Sequence, residues 1–147
     1  MRRIALFLFL FSLAVNCAAL QETVAELKTR IESARPEEKP DLCVRLARLQ
    51  VHAADKLYND GHVDEARVAV EDVATSLEKA RDAAIATKAH LKNVEIDARK
   101  IAVKLGDIKR TLAFEDQPPV EKAIHRIEDV RTALLNEMFS EKKKGKK

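Results

Sequence analysis

VDEARVAVEDVATSLEKARDAAIATKAHLKNVEIDARKIAVKLGDIKRTL, residues 63–112, decides the fold. Val63, Ala66, Val70, Val73, Leu77, Ala80, Ala84, Thr87, Leu91, Val94, Ala98, Ile101, Leu105, Ile108 and Leu112 follow one another in alternating steps of three and four. Only Thr87 in that series is not apolar. Steps of three and four keep one side of a helix greasy along its whole length, which suits lengthwise packing against other helices. The pattern predicts an all-α fold: an elongated antiparallel helical bundle of coiled-coil character, with one long central helix over about 62–114 flanked by shorter helices. Unbroken, the stripe would make a rod of ~75 Å at 1.5 Å per residue. The alternative is a turn near Thr87 to Asn93 and a more compact four- or five-helix bundle. The unbroken phase favours continuity, because a hairpin loop has no reason to preserve heptad register.

Working outward, the breakers fall where the periodicity stops. Pro36 and Pro40 precede one helical pattern, Asn59-Asp60-Gly61 ends it, and Pro118-Pro119 open the last. A first helix is expected over about Glu22 to Ala34, with Glu26 and Arg30 as an i,i+4 pair. A second is expected over about Asp41 to Asn59, with Asp41 as N-cap and Gly61 in the left-handed position beyond its end. A last helix should run from about Pro119 to Phe139. The second helix should fold back along the first half of the spine, and the last along its second half. A further apolar row at Ile85, Ala89, Ile96 and Val103 asks for more than one neighbour. If the spine is straight, self-association covers that surface, and a homodimer is the expectation.

The ends read differently. Arg2 and Arg3 precede an almost purely apolar run from Ile4 to Val15, and small residues stand at Cys17 and Ala19. This is the pattern of a secretory signal peptide cut after Ala19, so residues 1–19 are expected to leave the mature chain. A second reading makes Cys17 a lipoprotein cysteine, although Asn16 stands where a small residue is usual. Lipid attachment would anchor the chain to a membrane. The third is an uncleaved anchor over Ile4 to Leu20, short of the ~20 apolar residues a span needs. The expected location is outside the cytoplasm, periplasmic or extracellular.

With the leader gone, Cys43 is left without an internal disulfide partner and reads first as a small buried hydrophobe, with an intermolecular bridge or a reactive thiol as the alternatives. The formal charge of +3 is uneven. Setting aside Arg2, Arg3 and the tail's five lysines and one glutamate leaves 20 basic and 23 acidic residues from 20 to 140, a net of −3. A basic nucleic-acid face is therefore not indicated. Residues 20–140 form the helical domain, and 141–147 a basic tail expected to be disordered. Lys142, Lys143, Lys144, Lys146 and Lys147 either solubilise that end or tether it weakly to an anionic membrane surface.

Leu57-Tyr58-Asn59-Asp60-Gly61-His62-Val63-Asp64-Glu65-Ala66 resembles the corner of a tetratricopeptide repeat. Tyr58, Gly61, Asp64, Glu65 and Ala66 match its aromatic, glycine, acidic pair and alanine. The resemblance covers one helical hairpin, and the sequence shows no second copy of it. It implies a helix–turn–helix corner and a role in protein–protein contact.

The chemistry-bearing residues are sparse. Glu121, His125, Glu128 and Asp129 share a face of the last helix and are the weak candidates for a metal site. Their order, His125-x-x-Glu128, is the reverse of the Glu-x-x-His of bundle di-iron proteins and occurs once. His52 lies nine residues from Cys43, on the wrong turn to serve it as a base. Phosphate loops, paired zinc cysteines and nucleophile elbows are absent from the sequence. Aromatic content of 4% argues against stacking platforms for single-stranded nucleic acid. The expectation is an exported, non-catalytic helical protein with no cofactor, acting as a structural or adaptor element of the cell envelope through helix–helix contacts with a protein partner. The alternative is a ligand- or metal-binding bundle using the His and acidic face of the last helix.

Overall fold

The computed structural model describes residues 22–144. It contains helices α1 (Val24–Ser33), α2 (Lys39–Asn59), α3 (Val63–Thr87), α4 (Leu91–Thr111) and α5 (Gln117–Lys144), with a 3-10 turn over Phe114–Asp116. No strand occurs among the described residues, and the all-α bundle read from the periodicity is the fold. No helix there is long and apolar enough to cross a membrane. The leader, with Cys17 and Ala19, lies outside the described residues, as do Lys146 and Lys147.

The single long spine is corrected. The helix stops at Thr87 and restarts at Leu91. Lys88 and His90 both adopt left-handed backbone, with φ of 57° and 62°. Thr87 helps to end α3. Its hydroxyl donates to the Ala83 carbonyl at 2.8 Å and accepts from the Ala89 N–H at 3.4 Å. Two side-chain-bearing residues in that conformation cost ~1–2 kcal/mol each. Folding back hides Leu77, Leu105, Ile127 and Leu134 completely, and burial of each such side chain contributes roughly 1.5–3 kcal/mol. Burial therefore outweighs the hinge.

Topology follows from which residues meet. Gln50 meets Ser76, and Glu95 meets Arg131. Lys109 meets Glu121 as well. Numbers rise on one helix of each pair as they fall on the other, so α2/α3 and α4/α5 are antiparallel hairpins. Between the hairpins the rule changes. Arg48 pairs with Asp97, Arg67 with Asp116 and Lys88 with Glu137, each 49 residues apart. Asp55 pairs with Lys104 at the same offset, at 2.7 Å. A constant offset means that α2 and α4 run the same way, and so do α3 and α5. The second hairpin is stacked on the first in register.

One apolar core runs through α2–α5, with Val44, Ala47, Val51 and Ala54 facing Val70, Val73 and Leu77, and with Val94, Ile101, Leu105, Val120, Ile127 and Leu134 continuing it. The alanines Ala47, Ala54, Ala66, Ala74, Ala80 and Ala84 are wholly buried, so backbones approach closely there. A smaller cluster sets α1 against α2 through Leu27, Leu42 and Leu46. Because the spine folds back, the stripe from Ala66 to Ile108 is covered within the chain, although Val103 of the second apolar row stays 61% exposed, and the straight spine that suggested a homodimer does not exist.

Three local readings also change. Glu26 does not pair with Arg30. It reaches back to the Thr23 N–H at 2.7 Å while the Thr23 hydroxyl accepts from the Glu26 N–H, a capping box that holds the Glu26 carboxyl below its ordinary range. Asp41 is not the N-cap of α2, which begins at Lys39 with Pro40 in its first turn and no side-chain cap. The helix α5 continues to Lys144, so Lys142, Lys143 and Lys144 extend a helix instead of opening a disordered tail. Glu and Lys are strong helix formers, and the sequence offers no breaker before Gly145.

Gly61 and Gly106 separate two roles of glycine. Gly61 has φ of 81°, as expected for the α2 end, and a side chain there is strained. Gly106 lies inside α4, and a methyl group added there would meet no atom within 4 Å. Gly106→Ala should raise stability by ~1 kcal/mol, and Gly61→Ala should lower it by about the same amount, in urea unfolding followed by circular dichroism.

Candidate interaction groove

Helix α5 carries most of the polar chemistry that the fold organises. Arg126 reaches across to α3, where its Nε and Nη2 donate to the two oxygens of Glu78 at 2.8 and 2.7 Å. Nη2 also donates to the Thr75 hydroxyl at 3.3 Å, and Nη1 pairs with Glu71. The two-pronged bond holds the Glu78 carboxyl below its usual range against the opposing effect of burial, and raises the Arg126 guanidinium. Arg131 points the other way, to α4. It donates to Glu95 at 3.0 Å through Nε and to Glu128 at 2.7 Å through Nη1. Glu95 is only 8% exposed, and Arg131 supplies its countercharge.

This arrangement reassigns the sequence candidates. Glu128 is engaged by Arg131. Glu121 lies 3.6 Å from Lys109, and His125 is exposed. Among the described residues no group of three or more His, Cys, Asp or Glu side chains is placed to hold a metal ion. Cys43 is buried and free, as read from the sequence, and burial pushes its thiol up. His52, on the same helix, is exposed. Cys43 lines a cleft of about 280 Å³ between α1, α2 and α3, with Gln50 and Ser76 hydrogen-bonded at 2.7 Å in its wall. At the α2–α3 corner the Tyr58 hydroxyl and Arg67 Nε are buried without partners, and burial raises the Tyr58 phenol.

A broad concave surface lies on the second hairpin. Ile96 of α4 and Leu135, Met138 and Phe139 of α5 form an apolar groove of about 770 Å³. Its rim carries Lys92, Glu95 and Arg99. Glu95 is neutralised by Arg131, which leaves the two exposed cations as the net charge of the rim. Phe139 is 58% exposed. Ile96 belongs to the apolar row that periodicity assigned to packing, while Leu135, Met138 and Phe139 are apolar positions at the end of the last helix; one sequence cannot show which such row lines a groove. No family model matches the chain, and no similar protein of known function or solved structure was found.

Two outcomes test the electrostatics. Arg131→Met strands a buried carboxylate and should cost ~3–5 kcal/mol, whereas Glu95→Gln should cost markedly less in the same unfolding assay. The folded-state pKa of Glu78 is depressed, so its contribution is fully present above the unfolded value of about 4.3 and is lost as pH falls through the folded value. Thermal melts should show Glu78→Gln less stable than wild type at pH 7, with the difference closing in strong acid.

Proposed function

We propose that this chain is an exported, non-catalytic helical adaptor that binds an acidic amphipathic helix of a protein partner in the α4/α5 groove. The observation that carries the reading is the groove itself, in which an apolar floor of Ile96, Leu135, Met138 and Phe139 lies beneath two cations, Lys92 and Arg99. An apolar floor takes side chains at i, i+3, i+4 and i+7 of an incoming helix. The rim then selects for acidic residues on the flanks of that helix. Stacked hairpins, and a corner similar to that of tetratricopeptide repeats at Tyr58 to Ala66, fit a contact-making role. Export rests on the basic, apolar and small-residue pattern of residues 1–19, with cleavage after Ala19.

The groove is tested with two designed peptide helices sharing one leucine face, one flanked by glutamate and the other by lysine. Fluorescence anisotropy should show the acidic peptide bound at least about tenfold more tightly, a difference of ~1.4 kcal/mol. Arg99→Glu should erase that preference, and Phe139→Ala should weaken both peptides. Equal or absent binding of the two by wild type overturns the assignment. Export is tested separately by the intact mass of the chain expressed with its own leader. A product beginning at Leu20 supports it, a lipid-modified Cys17 reassigns the chain to a membrane anchor, and a retained Met1 overturns cleavage.

A further inference from the structure

The loop joining the hairpins has a property that ordinary hairpin loops lack. It preserves the apolar phase. From Thr87 to Leu91 the stripe advances by four, as it would inside a continuous helix, and the three residues between contain no glycine or proline. Lys88, Ala89 and His90 are all compatible with a helix, while Lys88 and His90 are strained where they now stand, both at positive φ. The loop therefore has two allowed forms. The other form joins α3 and α4 into one helix over 63–111 and carries the second hairpin away from the first.

Opening exposes two faces that already fit each other. One is the inner side of α2/α3 and the other the inner side of α4/α5. Most polar bonds that tie them link a residue before the hinge to one after it: Arg48 to Asp97, Asp55 to Lys104, Arg67 to Asp116, and Arg126 to Glu71 and Glu78; the hinge residues themselves add Lys88 to Glu137 and His90 to Asp41. A second copy, opened in the same way, offers each face its native partner. We propose that this chain forms a dimer by exchanging hairpins, with α3 and α4 fused into one helix and each α4/α5 hairpin stacked on the α2/α3 hairpin of the other copy. The closed-chain contacts outside residues 87–90 are recovered between copies, and the strained loop is replaced by helix. The occupant is thus a second copy, independently of any partner at the outer groove.

Mass measurement by light scattering after refolding at low and high protein concentration reads the exchange. Lys88→Gly with His90→Gly removes the strain of the closed loop and should lower the dimer fraction about tenfold. Lys88→Ala with His90→Ala favours helix and should raise it. Charge reversal supplies the second arm. Arg126→Glu in one chain and Glu71→Arg with Glu78→Arg in another each place like charges across the stack. Refolded together they should give a one-to-one heterodimer with restored helicity, because each α5 then meets the complementary α3. A monomer at every concentration overturns the proposal. So does a dimer that ignores the hinge substitutions and shows no preference for the mixed pair, since that dimer would use an outer surface.

Discussion

One apolar stripe has to be covered on two sides, and the hinge at Lys88 and His90 is how this chain does it. A straight helix over 63–112 would present Val70, Leu77, Val94, Ile101 and Leu105 in a single line, too long for α2 or α5 to cover alone. Bending the stripe back turns its two halves toward one core, where each packs chiefly against α2 and α5. The strain is held at two residues, both at the surface end of the stack, where left-handed backbone does not disturb the packed interior. Every larger feature follows from that fold-back. The two hairpins stack in register, α5 lies between α3 and α4, and the outer side of α4/α5 carries the apolar groove.

Much of the architecture was legible in side-chain spacing. The stripe residues from Ala66 to Ala84 and from Leu91 to Ile108 are buried where periodicity placed them, apart from Thr87 at the break. Gly61 takes the positive φ that its position demanded. The bend was not legible, for a physical reason. Helix ends are read from glycine, proline and capping side chains, and this end has none of them: His90 makes no side-chain cap, and α3 has no basic residue in its last turn. The signal that was present is subtle. Thr87 is the one hydroxyl in the stripe, and its oxygen takes the first amide left over beyond the helix. Thr23-x-x-Glu26 was likewise readable as a capping box, but Glu26 was claimed by the competing spacing to Arg30.

The candidate site was less legible than the fold. Ion pairs between stacked hairpins join residues 48 to 55 positions apart, a spacing no local rule anticipates. Glu121, His125 and Glu128 share a helical face, and side-chain type alone makes that face look like a ligand set. Packing gives Glu128 to Arg131 and places Lys109 beside Glu121, because arginine and lysine from neighbouring turns and helices reach the same carboxylates first. The groove had the opposite problem. Its residues were visible as apolar, but an uncovered row and a covered one have the same pattern until the third dimension is known.

The arginines of α5 also answer a difficulty that the core creates. Val70, Val73, Leu77, Ala80 and Ala84 repeat the spacing of Val120, Ala123, Ile127, Val130 and Leu134, so apolar burial alone scarcely distinguishes the observed alignment from one slipped by a heptad. Polar partners do distinguish them. A seven-residue slip between α4 and α5 would move Arg131 from Glu95 to Lys88 or Ala102. Glu95 would then remain buried and unpaired, or Arg131 would face a like charge, and either outcome costs several kcal/mol. Arg126 acts similarly on α3, where Glu78 accepts two bonds and Thr75 a third. The apolar stripe makes the helices associate, and the two arginines select which of its nearly equivalent alignments is the native one.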